Sequence, residues 1–225
     1  MMRSEWPGDA RRNPCCSQPD YLTQKALSVA LYRFAANVPQ DRPVKILDIG
    51  CGAKPYLPFF SKPNVAYLGV DSDPNSKADR IIDLDQTLPF SDNEFDFVLS
   101  TQVLEHVKSP ESLLHEIHRV LKVSGSALIS APFVWEIHNY PVDYWRFSQQ
   151  GLAKLCHFFS DIAVIPCGNT IQGMLQTFLL LLDRRMKNQW FKGFLFGFSN
   201  RFLMGFLARF KDDLLPVNYI IEVQK

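Results

Sequence analysis

Apolar positions recur along the chain at two periods, and the switches between them predict its elements. Leu22, Ala26, Val29, Ala30 and Phe34 fall at helical spacing, with Asp20 placed to cap, so a helix is predicted over 20–37. Short β-rich runs follow at Val44–Ile49, Ala66–Val70, Arg80–Asp83, Phe95–Ser100 and Ala127–Ala131. Between the last two, Leu113, Leu114, Ile117, Val120 and Leu121 share one face of a helix that Pro110 opens, and Gly125 reads as its stop signal. Ser148–Phe159 reads as a further helix, Asp161–Ile165 as a sixth strand and Tyr219–Val223 as a seventh. Strands alternating with helices predict an α/β fold with a largely parallel sheet covered on both faces.

The stretch 167–217 breaks that alternation. At about 50 residues it is far longer than an ordinary loop and must carry structure of its own. Ile171, Met174, Leu175, Phe178, Leu179 and Leu182 make one helical stripe. Trp190, Phe194, Phe198, Phe202, Phe206 and Phe210 make a second, with a bend expected near Gly197–Asn200. The expected organisation is a mobile N-terminal arm over 1–19, then a single domain over 20–225 with a helical insertion at 167–217 before the last strand.

Composition narrows the class. Hydrophobic residues make up 47% of the 225 and charged ones 21%, which excludes wholesale disorder. Twenty-four Lys/Arg against 23 Asp/Glu leave a net charge of +1, which excludes a globally basic nucleic-acid binder. The five cysteines form no C-x-x-C pair, so neither a disulfide framework nor a Cys-rich zinc site is expected, and no metal is assigned. Neither a secretory signal nor an apolar membrane span is read from the sequence, so a cytoplasmic location is expected.

The most informative segment is ILDIGCGAKP at 46–55, a buried strand followed by a tight glycine turn. Ligands of open α/β sheets bind beyond the C-terminal strand ends, where glycines let them approach the backbone. A dinucleotide fingerprint would place its third glycine at position 55, but Pro55 stands there. Asp48 would also repel a pyrophosphate. The same carboxylate suits a cofactor bearing an ammonium and a sulfonium, as S-adenosylmethionine does. Asp71 closes the second strand, where a carboxylate accepts ribose hydroxyls; its alternative reading is an acidic strand-end cap beside Asp73 and Pro74. Asp83 closes the third run and could accept from an adenine amino group beside the Leu84 amide. The alternative is a solvated loop acid, and Asp85 lies two residues on.

DLDQTLPFSDNEFDFVLSTQVLEHV at 83–107, then HRVLKVSG at 118–125 and ALISAPF at 127–133, resemble the class I S-adenosylmethionine-dependent methyltransferases of the methyltransferase type 11 group. With 46–55 the resemblance covers about residues 44–166. It implies a Rossmann-like seven-stranded sheet of order 3-2-1-4-5-7-6 with the last strand antiparallel. It also implies S-adenosyl-L-methionine as cofactor, with Gly50, Cys51 and Gly52 at its methionine part and Asp71 and Ser72 at its ribose. Asp83 and Leu84 would hold adenine, and Thr101 and Gln102 would line the cofactor near the fourth strand end. Two departures stand out: Lys54 replaces a glycine common in the group, and about nine residues separate strands two and three, so their crossover helix must be minimal.

FVWEIHNYPVDYWRFS at 133–148 resembles an H-x-x-P-x-D-Y-x-R-F segment found in a subgroup associated with polysaccharide or small-molecule tailoring. Methyl transfer to oxygen needs an aligned acceptor and a base for its proton, and His106, His138 and Asp143 are the candidates. Tyr144 and Arg146 are candidates for binding a polar acceptor; alternatively Asp143 and Arg146 form a local ion pair. His115, His118 and His157 lie in helical patterns and read as packing or surface residues. The expected function is an O-directed methyltransferase on a small-molecule or glycan-like acceptor. A non-catalytic scaffold of the same fold and an NAD-dependent oxidoreductase remain open. A nucleic-acid amino-methylating enzyme would show [N/D]-P-P-[F/Y] after the fourth strand, where this chain reads TQVLEH, so no nucleic acid is expected.

The insertion carries its own charge pattern. From Asp183 to Lys211 seven Lys/Arg face one acid, a local charge of +6 that leaves −5 on the rest of the chain. Eight of the 18 phenylalanines fall between Phe178 and Phe210. Two readings follow: an element lying in an anionic membrane interface, or a helical pair that fills an extended core or forms a homodimer contact.

Overall fold

The computed structural model describes residues 8–138 and 142–225. Strands β1 (Val44–Ile49), β2 (Val65–Asp71), β3 (Arg80–Ile81), β4 (Phe95–Thr101), β5 (Leu121–Pro132), β6 (Asp161–Cys167) and β7 (Asn218–Gln224) form one sheet. Its order is β3-β2-β1-β4-β5-β7-β6, as expected. The first five strands pair in parallel, and β7 runs antiparallel to both β5 and β6. Adjacent residues of the central strands feed opposite cores. Leu47, Val98 and Ile221 pack beneath α4 (Pro110–Val120) and α5 (Gln149–Leu155). Ile46, Leu99 and Ile220 pack with Leu27, Leu31 and Phe34 of α2 (Tyr21–Ala36). Both faces are buried, which is why these strands read as unbroken apolar runs rather than alternating ones.

Three expectations are corrected. Gly125 does not stop α4, which ends at Val120; Leu121 already has extended backbone and begins β5. Phe95 faces Leu121 but Phe97 faces Ser126, so 122–125 bulge out of register. A Cβ at Gly125 would stand 2.8 Å from the Lys122 carbonyl oxygen, so glycine serves a close backbone approach here. The β2–β3 crossover, Ser72–Asp79, holds no helix. Asp79 organises it instead, accepting from the Gly69 amide at 2.7 Å and from Lys54 Nζ at 2.5 Å.

The third correction concerns the N-terminal arm. Residues 1–7 lie outside the described residues, but 8–19 are tied down rather than mobile. A short helix, α1 (Asp9–Arg12), buries Arg12, which donates to the Pro55 carbonyl at 2.9 Å. The Ser28 hydroxyl donates to the Arg12 carbonyl at 2.5 Å, and Asn200 Nδ2 donates to the carbonyls of Cys16 and Gln18. These partners are distant in sequence, so local composition carried no sign of them. Between β1 and β2 lies one further short helix, α3 (Leu57–Phe60).

The insertion comprises α6 (Thr170–Arg185), α7 (Gln189–Phe198), a π-helical turn (Ser199–Leu203) where a bend was expected, and α8 (Met204–Leu207). Its orientation reverses the apolar stripe. Gln172, Gly173, Gln176, Leu179 and Leu180 are the buried face of α6, while Ile171, Met174, Phe178 and Leu181 are exposed. Gln176 and Thr23 exchange two hydrogen bonds, at 3.0 and 2.9 Å, and Gln172 Nε2 donates to the Met204 carbonyl at 2.7 Å. Buried amides with full partners hold this helix to α2 and α8. Of the eight phenylalanines, Phe196 alone is buried, so they do not fill an extended core.

Candidate functional site

A cavity of about 900 Å³ opens beyond the C-terminal ends of β1, β2 and β4. One end is built from backbone. Gly50 (φ 66°), Gly52 (φ 51°) and Lys54 (φ 52°) all have left-handed backbone. Lys54 thus adopts the conformation that a glycine would take more readily, and its ammonium pairs with Asp79. A Cβ at Gly50 would lie 2.3 Å from Val103 Cγ2, whereas one at Gly52 would meet nothing within 4 Å. Packing therefore dictates Gly50, and Gly52 leaves space on the cavity wall. Asp71 closes the turn: its carboxylate accepts from the Gly52 amide at 2.7 Å and from the Asp73 amide at 2.9 Å.

Gly50, Gly52, Asp71, Ser72, Asp83, Leu84, Thr101 and Gln102 all line this cavity. Asp83 does so from a loop, since β3 stops at Ile81, and it accepts from the Asp85 amide at 2.9 Å. Gln102 has φ 57°, unusual for a residue with a side chain, and Nε2 donates to Ser130 Oγ and Asn218 Oδ1, both at 2.9 Å. It ties together the ends of β4, β5 and β7. Asp20, Asp71, Asp73, Asp83 and Asp85 stand against Arg11 and Lys77 on the wall. That donor and acceptor balance fits a cofactor offering hydroxyl, amino and sulfonium groups, and disfavours a pyrophosphate.

Asp48 and Cys51 are placed differently from expectation: neither is among the described residues lining the cavity. Asp48 is buried behind the turn and accepts from the Tyr67 hydroxyl at 2.5 Å. Burial raises its carboxyl to about 7, against the opposing hydrogen bond from Tyr67. The Cys51 thiol is likewise buried and pushed up by desolvation, and it packs against Gly69. A strand-end acid two residues before a turn points into the layer behind it, which spacing alone does not reveal.

The other end is built from side chains. His106, on the segment after β4, and His138, after β5, both line the cavity and face each other, Nε2 to Nε2, at 3.2 Å. His106 Nδ1 lies 2.9 Å from the Val142 carbonyl, and burial lowers its imidazole below the ordinary range. His138 Nδ1 is 3.3 Å from Asp143 Oδ2. Asp143 does not line the cavity and holds Arg146 in a two-pronged pair at 2.5 and 2.7 Å. That guanidinium lowers the Asp143 carboxyl to about 2. Asp143, expected to act on the acceptor, contacts His138 and Arg146 instead of the cavity, and it also accepts from the His138 amide at 3.1 Å. Arg146 is committed to Asp143 and the Glu136 carbonyl rather than to the cavity, whereas Tyr144 does line it. Asn139, Tyr140 and Pro141, part of the quoted segment, lie outside the described residues.

Sequence reading missed Glu105. It lines the cavity beside His106, is 1% exposed, and its Oε2 has no hydrogen-bond partner. Burial raises its carboxyl to about 8. An acid in the otherwise apolar run Val103–Leu104 was the available signal.

Comparison with known proteins agrees with this geometry. Residues 47–129 match the family model described as a methyltransferase domain. An uncharacterized methyltransferase of Mycobacterium leprae is 33% identical over 96 residues, covering 38% of this chain and 36% of that protein. The chain thus spans little more than a third of the length of the curated relatives it matches. The fold is similar to that of a SAM-dependent methyltransferase from Archaeoglobus fulgidus, with TM-score 0.59 and 17% identity over 89% of this chain and 94% of that one. It is also similar to Haemonchus contortus phosphoethanolamine N-methyltransferase 2 in complex with S-adenosyl-L-methionine, with TM-score 0.55 and 17% identity over 92% and 58% of the two chains. The strand order and the cavity beyond the strand ends thus accompany a methyltransferase-domain match over residues 47–129, and the fold is that of S-adenosylmethionine-dependent methyltransferases.

Proposed function

We propose that the protein transfers a methyl group from S-adenosylmethionine to an oxygen of a small polar or glycan-like acceptor. The observation that carries this reading is one continuous cavity with an acidic, glycine-turned end and a histidine-bearing, aromatic end. When bound, the cofactor supplies an electrophilic methyl group on sulfur. Asp71 accepts the ribose hydroxyls with lone pairs not used by Gly52 and Asp73. Asp83 and the Leu84 amide hold the adenine edge, and Thr101 and Gln102 close the wall. At the far end His106 or His138 accepts the acceptor's proton at Nε2, within hydrogen-bond reach of a bound hydroxyl. Trp135 and Tyr144 line that end and offer flat, amphipathic surface to a sugar-like ring. Thermal shift and calorimetry with S-adenosylhomocysteine and with NAD test the cofactor: stabilisation by the former alone is expected. NAD binding would restore the oxidoreductase reading, and binding of neither would favour a non-catalytic scaffold. Transfer of labelled methyl groups to fractions of hydroxylated small molecules tests the acceptor class.

The insertion supports contact with an anionic membrane surface. Phe178, Phe194, Phe202 and Phe206 are each more than half exposed, Trp190 is 79% exposed, and seven cations lie among these helices. Exposed aromatic side chains interleaved in sequence with cations suit a helical element lying in the headgroup layer. No described helix is long and apolar enough to cross a membrane. Arg184 at the end of α6 pairs with Glu136 at 2.9 Å, which links this surface to the acceptor segment. Co-sedimentation with anionic vesicles, weakened by salt, is the expected result. No binding, together with a concentration-dependent dimer, would make the surface a homodimer interface.

A further inference from the structure

We propose that Glu105, His106 and His138 form a binding site for a divalent metal ion at the acceptor end of the cavity. The tautomers are set by what stands behind each ring. The Val142 carbonyl, 2.9 Å from His106 Nδ1, can only accept, so that nitrogen carries the hydrogen. His138 Nδ1 faces two acceptors, the Glu136 carbonyl at 3.4 Å and Asp143 Oδ2 at 3.3 Å, and carries the hydrogen for the same reason. Both Nε2 atoms are then left with lone pairs, and those lone pairs converge at 3.2 Å. Two acceptors at that distance repel unless a proton or a cation lies between them.

A third ligand completes the set. Glu105 Oε1 is 3.8 Å from His106 Nε2, and Oε2 is buried with no partner. One donor atom from each of the three residues lies within 4.8 Å of the others. Bonds of about 2.0–2.1 Å in a tetrahedral zinc site put ligand atoms roughly 3.3 Å apart, so the histidines already match and Glu105 needs a modest rotation. Ligating histidines characteristically donate their other ring hydrogen to a carbonyl or carboxylate, the pattern found here at Val142 and Asp143. Two imidazoles and one carboxylate suit zinc or a neighbouring first-row ion, and three protein ligands leave a position open toward the cavity. An oxygen of the acceptor would occupy it. With the ion in place the histidines act as ligands rather than as the base.

This site does not rest on the methyl-transfer reading, because it is measured without cofactor. Metal-stripped protein is titrated with ZnCl2 by calorimetry and with CoCl2 by visible absorption. One-to-one saturable binding is expected, with cobalt bands of nitrogen and oxygen coordination. Glu105→Gln and His138→Ala should each weaken binding by at least ~10-fold, the loss that even outer partners of metal sites produce. His157→Ala, on the exposed surface, should leave it unchanged. Absence of saturable binding to the unmutated protein would overturn the proposal whatever the variants do. So would binding that both site variants leave intact.

Discussion

At the cofactor end of the cavity the polar contacts run through the backbone, whereas at the acceptor end they run through side chains. Gly52 and Asp73 reach Asp71 with their amides, and three left-handed residues shape one turn within five positions. At the acceptor end His106, His138, Asp143 and Arg146 are held mainly by each other and by carbonyls of the facing loop. A backbone-built site needs particular spacings, because turns are made of neighbours. A side-chain-built site needs only that two loops meet, and many sequences satisfy that. The cofactor end should therefore fail as a unit, and the acceptor end should fail in separable steps.

The largest expected effect tests that separation directly. His106→Ala or His138→Ala should lower kcat by about 10²–10⁴-fold, the usual range for a positioned proton acceptor. S-adenosylhomocysteine affinity, read by calorimetry, should stay unchanged; a parallel loss would mean the two ends are one structural unit. Next comes Asp48. Its carboxyl is raised to about 7 by burial, so the folded chain holds a proton that the unfolded chain has lost above about 4. The associated stability is present below the unfolded value and is lost as pH rises toward 7, by an amount on the order of 4 kcal/mol. Asp48→Asn should flatten that slope in denaturant titrations at pH 4.5–8, and an unchanged slope would remove Asp48 as its source.

Asp71→Ala should cost about 1.5–3 kcal/mol of S-adenosylhomocysteine affinity for each charged hydrogen bond lost, and it should loosen the Gly52 turn as well. Asp71→Asn, which keeps an acceptor oxygen, should recover part of the loss. Equal affinity for a folded Asp71→Ala protein would break the idea of a backbone-built end pinned by one carboxylate. The smallest effect belongs to Asp143→Asn, about 1 kcal/mol of stability, since Arg146 is partly exposed and its partner charge is screened. Asp143 titrates at about 2, so this contribution is present above the unfolded carboxylate value and fades as pH falls toward 2. Turnover should fall more than stability if Asp143 orients His138, and melts paired with rate measurements distinguish the two.

Particular residues show how much was legible. The seven strands were legible as apolar runs, because each strand is a local pattern, whereas their order came only from the motif resemblance. Gly50, Gly52, Asp71 and Asp83, singled out by their place in the strand-end pattern, and Thr101, carried over from the resemblance, all line the cavity. Asp48 was assigned to the ligand and instead lies against Tyr67, since the direction of a strand-end side chain depends on the neighbouring strand. Glu105 went unread because its chemistry arises from burial, and burial is a property of everything packed around it.

The helical insertion marks the same boundary most clearly. By itself the sequence determined that 167–217 carries helices, and it determined where charge and aromatic side chains accumulate, because both follow from local periodicity and counting. It did not determine which face turns inward. The apolar stripe of α6 reads as the packing face, yet Gln172 and Gln176 are buried and Met174 and Phe178 are exposed. Only tertiary structure decided this: Thr23 and the Met204 carbonyl, far away in the chain, supply the partners that make burying two amides favourable. The histidine pair was decided the same way. Two rings 32 residues apart meet at 3.2 Å because the segments after β4 and β5 end side by side in the sheet.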